Sequence, residues 1–130
     1  MLSRGESVTS TAYELLAVEN FAKNLGQFHP KDRERIKGKI VEMLTQNPYR
    51  YAMLVGAIEI AGLNLYGLHS MKMGVAGLKG GAYVLYRICE ECKKNHYMTR
   101  SGASCQFCND DKNRHVVLFD VNPRGADYGR

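Results

Sequence analysis

Four cysteines stand in two pairs, Cys89-x2-Cys92 and Cys105-x2-Cys108, with twelve residues between the pairs. Zinc takes four ligands in a tetrahedron, and two thiolates three positions apart can hold one ion from a single tight turn. Two such turns facing each other complete the shell, and Ser101-Gly102-Ala103-Ser104 is a turn-rich approach to the second pair. The competing reading is a set of buried or redox-active thiols, and the paired spacing favours the metal. A shell closed by four thiolates leaves no open position, so the expected site holds one structural zinc ion and no catalytic one. His96 and His115 could serve as substitute ligands, but four cysteines suffice and both histidines read as ordinary surface residues.

Cations are the second group that could do chemistry. The chain of 130 residues carries 18 Lys and Arg against 13 Asp and Glu, a formal net charge of +5. That excess permits nucleic acid or an acidic protein as partner and proves neither. Lys93, Lys94, Arg100 and Lys112 lie beside the knuckles, where they are a solvated charge group or a contact surface for RNA. Asp110 and Asp111 with Asn109 and Asn113 read as a solvated loop. Apolar residues make up 45% and charged residues 24%, an ordinary globular balance. The expectation is a single domain over 1–130 with a zinc-knuckle insertion over 89–108. No stretch approaches the roughly 18 apolar residues of a membrane span, and the polar stretch Met1 to Ser10 lacks the apolar core of a secretory signal. A cytoplasmic protein without a membrane partner is expected, and in that reducing compartment paired cysteines point to metal.

These residues need elements to position them. Ala12 to Val18 reads as a first strand, and Glu19 to Gln27 as a helix with Phe21 and Leu25 four apart. Pro30 is placed to open a second helix over Lys31 to Gln46, whose Ile36, Ile40, Met43 and Leu44 fall at helical spacing. The two helices read as an antiparallel hairpin with one apolar side. Tyr49 to Gly62 is a loop or a short helix. Leu63 to Met73 reads as one strand, with Leu63, Leu65, Met71 and Met73 on one face and His69 interrupting it. Gly74 to Gly81 turns the chain, and Ala82 to Ile88 and His115 to Val121 form a strand hairpin with the knuckle at its tip. The predicted class is α+β: an N-terminal strand and a helical hairpin packed on a small, mostly antiparallel sheet.

That order, with a basic end to the last strand, resembles the RelE/ParE toxin superfamily. The stretches that carry the likeness are Ala12-Tyr13-Glu14-Leu15-Leu16 followed by Glu19 to Leu25, Gln46-Asn47-Pro48, Leu78 to Ile88, and Val116 to Val121 followed by Arg124, Asp127 and Tyr128. The resemblance implies a RelE-like fold and, for its RNase members, a ribosome-dependent mRNA endoribonuclease that inhibits translation and is held by a small cognate antitoxin. In that chemistry the 2′-hydroxyl attacks the adjacent phosphate, which needs a base, cations for the developing charge and an acid. On this resemblance Arg124 faces the scissile phosphate and Tyr128 stacks on a base or helps proton transfer. Lys72 helps activate the nucleophile, and Lys79 is a further candidate. The strand entry departs from the pattern: Val84 follows Tyr83 where many active members carry Arg. The nearest cation is then Arg87, and His69 could supply the missing acid or base. Arg87, Lys93, Lys94 and Arg100 form the expected RNA-binding set. The alternatives are a non-catalytic RelE-like zinc protein that binds RNA or the ribosome, and a ParE-like gyrase inhibitor.

Overall fold

The computed structural model describes residues 13–54, 56–60, 62–75, 78–95 and 114–123. The first strand is β1 (Glu14–Ala17), followed at once by α1 (Glu19–Leu25) and then α2 (Pro30–Leu44). Pro30 occupies the first turn of α2, where its missing N–H costs nothing, and His29 Nδ1 accepts from Lys31 N–H at 3.2 Å as the cap. Ile36, Ile40 and Leu44 recur every four positions and are buried in one stripe, as the spacing predicts. The helix ends at Thr45, ahead of Asn47-Pro48.

Four strands make the main sheet in the order β1-β6-β5-β4, with β4 spanning His69–Val75, β5 Leu78–Ile88 and β6 His115–Pro123. β6 runs antiparallel to β5 and parallel to β1, with Glu14 opposite His115 and Ala17 opposite Leu118. As a central strand β6 is covered on both faces, which is why its run of Val116, Val117 and Leu118 is continuously apolar instead of alternating. Edge strand β4 alternates buried and less buried residues. The helix-facing side of the sheet packs Met71, Met73, Val84, Tyr86, Ile88, Val116 and Val121 against Phe21, Phe28 and the α2 stripe. The molecule is thus mixed α+β with a mostly antiparallel sheet.

The middle of the chain departs from the sequence expectation in three places. Tyr49 to Gly62, expected as a loop or a short helix, starts in a 3-10 turn (Pro48–Arg50) but also holds a strand, β2 (Ile58–Ile60). Leu63 to Met73 is not one strand: β3 (Leu63–Leu65) pairs with β2 in a separate two-stranded sheet, Gly67 turns the chain at φ 75°, and β4 begins at His69. The small hairpin lies on the sheet face away from the helices, where Ile60, Leu65 and Leu68 pack with Leu85. Finally, Gly74 to Gly81 is not a long turn, because Val75 pairs with Leu78. Gly80 and Gly81 sit inside β5 at φ 80° and 72°, beside a register slip between Met73 and Val75. A Cβ on Gly81 would lie 2.0 Å from the Met73 carbonyl oxygen, so this position admits only glycine.

Candidate functional site: the cysteine helix and its anchors

β5 runs without a break into a short helix, α3 (Cys89–Asn95). Cys89 and Cys92 therefore sit one turn apart on a helix, both buried, in an apolar compartment with Val117 and the half-buried Val18, Tyr66 and Phe119. Their i, i+3 spacing puts both sulfurs on one side of α3. The donor set fits a thiophilic ion: two adjacent buried thiols, as in half of a tetrathiolate zinc shell. Cys105 and Cys108 lie outside the described residues, and among the described residues no group of three or more His, Cys, Asp or Glu is placed to hold a metal.

The two glutamates between the cysteines reach back into the body of the protein. Glu90 Oε1 accepts from the Tyr13 hydroxyl at the start of the chain described and from the Tyr49 hydroxyl at 2.8 Å. Arg114, entering β6, donates to the Tyr13 hydroxyl at 2.6 Å, lies 4.2 Å over its ring and sits 3.8 Å from Glu90 Oε2. Glu91 Oε1 meets His69 Nε2 at 2.7 Å, while His69 Nδ1 meets the Tyr51 carbonyl at the same distance. Because both ring nitrogens face oxygen acceptors, His69 is held from both ends. Its ring stacks on Tyr86 at 5.3 Å and 17°, and the Tyr86 hydroxyl donates to the Pro48 carbonyl. A pocket of about 370 Å³ opens beside this cluster, lined by Tyr49, Glu90, Glu91 and Lys94.

Electrostatics holds the tyrosine–Glu90 part of the cluster as a clamp. Burial pushes the Tyr49 and Tyr13 phenols up, and their bonds to Glu90 push them further. Burial also raises Tyr86. Burial alone would raise Glu90, but hydrogen bonds from Tyr13 and Tyr49 and the charge of Arg114 outweigh it and hold the carboxyl below its ordinary value. The phenols remain donors and Glu90 remains an acceptor across neutral pH. General acid–base work needs groups poised near 7, and these are driven away from it.

The other expected site residues are dispersed. His69 is 4% exposed and shares the helix-facing side of β4 with Met71 and Met73, so it continues the strand pattern and does not interrupt it. Lys72 is exposed on the opposite side of the same strand, its ammonium 5.8 Å from the Tyr83 ring centre. Arg87, expected at an RNA surface, is 1% exposed: Nε donates to the Tyr66 carbonyl at 3.1 Å and the guanidinium lies 5.3 Å over Phe119. It is an interior residue, because the β3–β4 connection covers it. His115, expected at the surface, is also buried, with Nε2 3.2 Å from Glu14 Oε1. Lys94 is exposed at the pocket. Arg100, Arg124, Tyr128 and His96 lie outside the described residues, as do the side chains of Lys79 and Lys93.

Phe119 owes its position to a bulge. Leu85 pairs with Asp120 and Tyr86 with Leu118, so Phe119 has no opposite residue on β5. Its carbonyl accepts from Asn20 of α1 at 2.9 Å, and its ring supports Arg87. Sequence reasoning missed Glu90, Glu91, Tyr13, Tyr49 and Arg114. The available signal was the Cys-Glu-Glu-Cys run itself, since charges set between two buried thiols must find partners nearby. No family model, no curated protein and no solved structure matches the chain, so its function rests on this site and on the residues themselves.

Proposed function

We propose that the chain is a RelE-like, zinc-braced protein that acts by binding RNA or the ribosome. Cys89, Cys92, Cys105 and Cys108 hold one structural zinc ion, which closes the excursion between β5 and β6. The motif resemblance supports the RelE-like assignment. So does the order of the main sheet's elements, one strand, two helices, then three strands, once the small β2–β3 hairpin is set aside.

One observation turns the reading from cleavage to binding: the described members of the expected catalytic set, His69 and Lys72, lie on opposite faces of β4. His69 faces the helix side, Lys72 faces the other, and Arg87 is interior. A phosphoryl-transfer site needs its cation and its acid or base on the same few ångströms of substrate. The second reading, mRNA cleavage on the ribosome, keeps exposed Lys72 and rests on Arg124 and Tyr128 with a cognate antitoxin as partner.

The test is a cell-free translation reaction, run with wild type and Arg124→Ala, together with co-sedimentation of the zinc-loaded protein with ribosomes. Co-sedimentation and reduced translation without new mRNA ends are expected. New ends that vanish in Arg124→Ala would replace binding by cleavage. Neither ribosome association nor cleavage would remove both readings, leaving gyrase inhibition to be assayed.

A further inference from the structure

On the side away from the helices, the main sheet is covered at one end and, among the described residues, open at the other. Along β5 the residues on that side are Arg87, Leu85 and Tyr83: the first two are 1% exposed and the third is half-buried. Ile60 and Leu65 of the small hairpin pack with Leu85, and Tyr83 stands at the margin of that cluster. The ladder sets Tyr83 opposite Lys72 of β4 on one side and opposite Asn122 of β6 on the other. Residues directly opposite share a face of the sheet, so Lys72, Tyr83 and Asn122 form one row across three strands. Neighbouring strands lie about 4.8 Å apart, which makes the row about 10 Å long. The Lys72 ammonium lies 5.8 Å from the Tyr83 ring centre.

Two features mark the row as a contact surface and not only a cross-strand pair. The first is Gly74, which follows Lys72 on the exposed side of β4. Its backbone is not left-handed, and a Cβ there would meet nothing within 4 Å, so neither conformation nor packing requires glycine. Glycine inside a strand weakens it and often marks a place where a ligand or another backbone comes close. The second is charge. Across β4, β5 and β6 the only carboxylate is Asp120, which is buried and accepts from Asn24 of α1. The exposed charge of the row is the cation Lys72.

We infer that Lys72, Tyr83 and Asn122 form a platform for one nucleotide of a single-stranded RNA. The base stacks on the Tyr83 ring, the phosphate meets the Lys72 ammonium, and the Asn122 amide bonds the ribose 2′-hydroxyl. This gives the binding reading above its RNA surface and rests on that reading. A phenol ring offers stacking to any base, a nearby ammonium suits the phosphate of the same nucleotide, and an amide carries donor and acceptor together. The space beside Gly74 leaves room for the strand to pass. A duplex hides its base faces, so the row selects an unpaired strand.

The experiment uses the full zinc-loaded chain and an end-labelled, unstructured oligouridylate, with anisotropy as the readout and circular dichroism as the fold check. Tyr83→Leu keeps an apolar side chain at the Leu85 cluster and is expected to weaken binding about 5–150-fold. Lys72→Met should weaken it too, and should lower the slope of log affinity against log salt by about 0.7. Gly74→Gln adds no charge and should fold as wild type yet bind more weakly, because its side chain fills the approach. Lys39→Met removes an exposed cation of α2, across the sheet, and should leave affinity within about twofold. Wild-type affinity in folded Tyr83→Leu overturns the inference. If that variant does not fold, wild-type affinity in Gly74→Gln with an unchanged salt slope in Lys72→Met overturns it. Equal or tighter binding of the matched duplex or of the deoxy strand also overturns it, the latter moving the surface to DNA. A wild type that binds neither the strand nor ribosomes fails the binding reading itself. One that binds ribosomes but not the strand fails the platform alone.

Discussion

The two ends of the main sheet's helix-facing side are held by different physics. Under α2 the buried contacts are mainly apolar: Ile36, Ile40 and Leu44 share one cluster with Met71, Met73 and Val84. Where α3 leaves β5, the same side of the sheet is held by hydrogen bonds: Tyr13, Tyr49, His69 and Tyr86 against Glu90, Glu91 and the Pro48 carbonyl. The first end gains from area removed from water, which is non-directional and tolerant of repacking. The second gains little net energy per bond but fixes one geometry, because a buried polar group that loses its partner costs more than the bond contributed. A short helix bearing two buried cysteines needs the second kind of support. Apolar contact alone would hold α3 down without fixing where its cysteines point.

Three measurements would break or sharpen this contrast. The largest effect is expected at the hydrocarbon end, where Ile36→Ala should destabilise the fold by about 2–5 kcal/mol in denaturant melts. A loss under about 1 kcal/mol there would mean that the α2 stripe is not the main core. At the polar end, His69→Ala should cost about 1–3 kcal/mol by removing the ring that bridges Glu91 and the Tyr51 carbonyl. The double-mutant cycle with Glu91→Ala should return a coupling of about 0.5–3 kcal/mol. Strict additivity would show that the His69–Glu91 contact carries nothing.

The smallest effect concerns pH. The Tyr86 phenol is raised above its ordinary 10.0 by burial, so the unfolded chain gives up that proton first. The stability it supports is complete below about pH 10 and falls as pH rises beyond it toward the folded value. Tyr86→Phe should flatten the alkaline arm of the stability profile at a neutral-pH cost of about 1 kcal/mol. The same slope in wild type and variant would place the alkaline transition elsewhere.

Legibility in the sequence followed the length and purity of each pattern. α2 was readable because three apolar residues recur every four positions behind a proline, and β5 and β6 because central strands carry unbroken apolar runs. β2 and β3 have three residues each, too few to show any period, and their separation from β4 depends on a single left-handed glycine, Gly67. His69 looked like an interruption because a polar residue in a period-two pattern reads as a break, whereas its ring is stacked on Tyr86 as part of the pattern. Arg87 looked like a surface cation because nothing local reveals that the β3–β4 connection folds back over it. The Cys89–Cys92 spacing stood out, but it read as a tight turn and the structure sets the pair on α3. The anchors of that helix were not legible, since Tyr13 just before β1, Tyr49 in the 3-10 turn and His69 in β4 are far apart in the chain.

The parallel pairing of β1 with β6 also bears on how the chain is made. β6 is late in chain order yet central in sheet order, with β1 on one side and β5 on the other. During synthesis β1, the apolar stripe of α2 and the inner edge of β5 all emerge before the strand that joins them. Such long-range closure is slow and leaves strand edges open to other chains while it waits. A chain halted short of His115 would already hold α1, α2, the β2–β3 hairpin and the β4–β5 pair, and would lack the one strand that ties β1 to them.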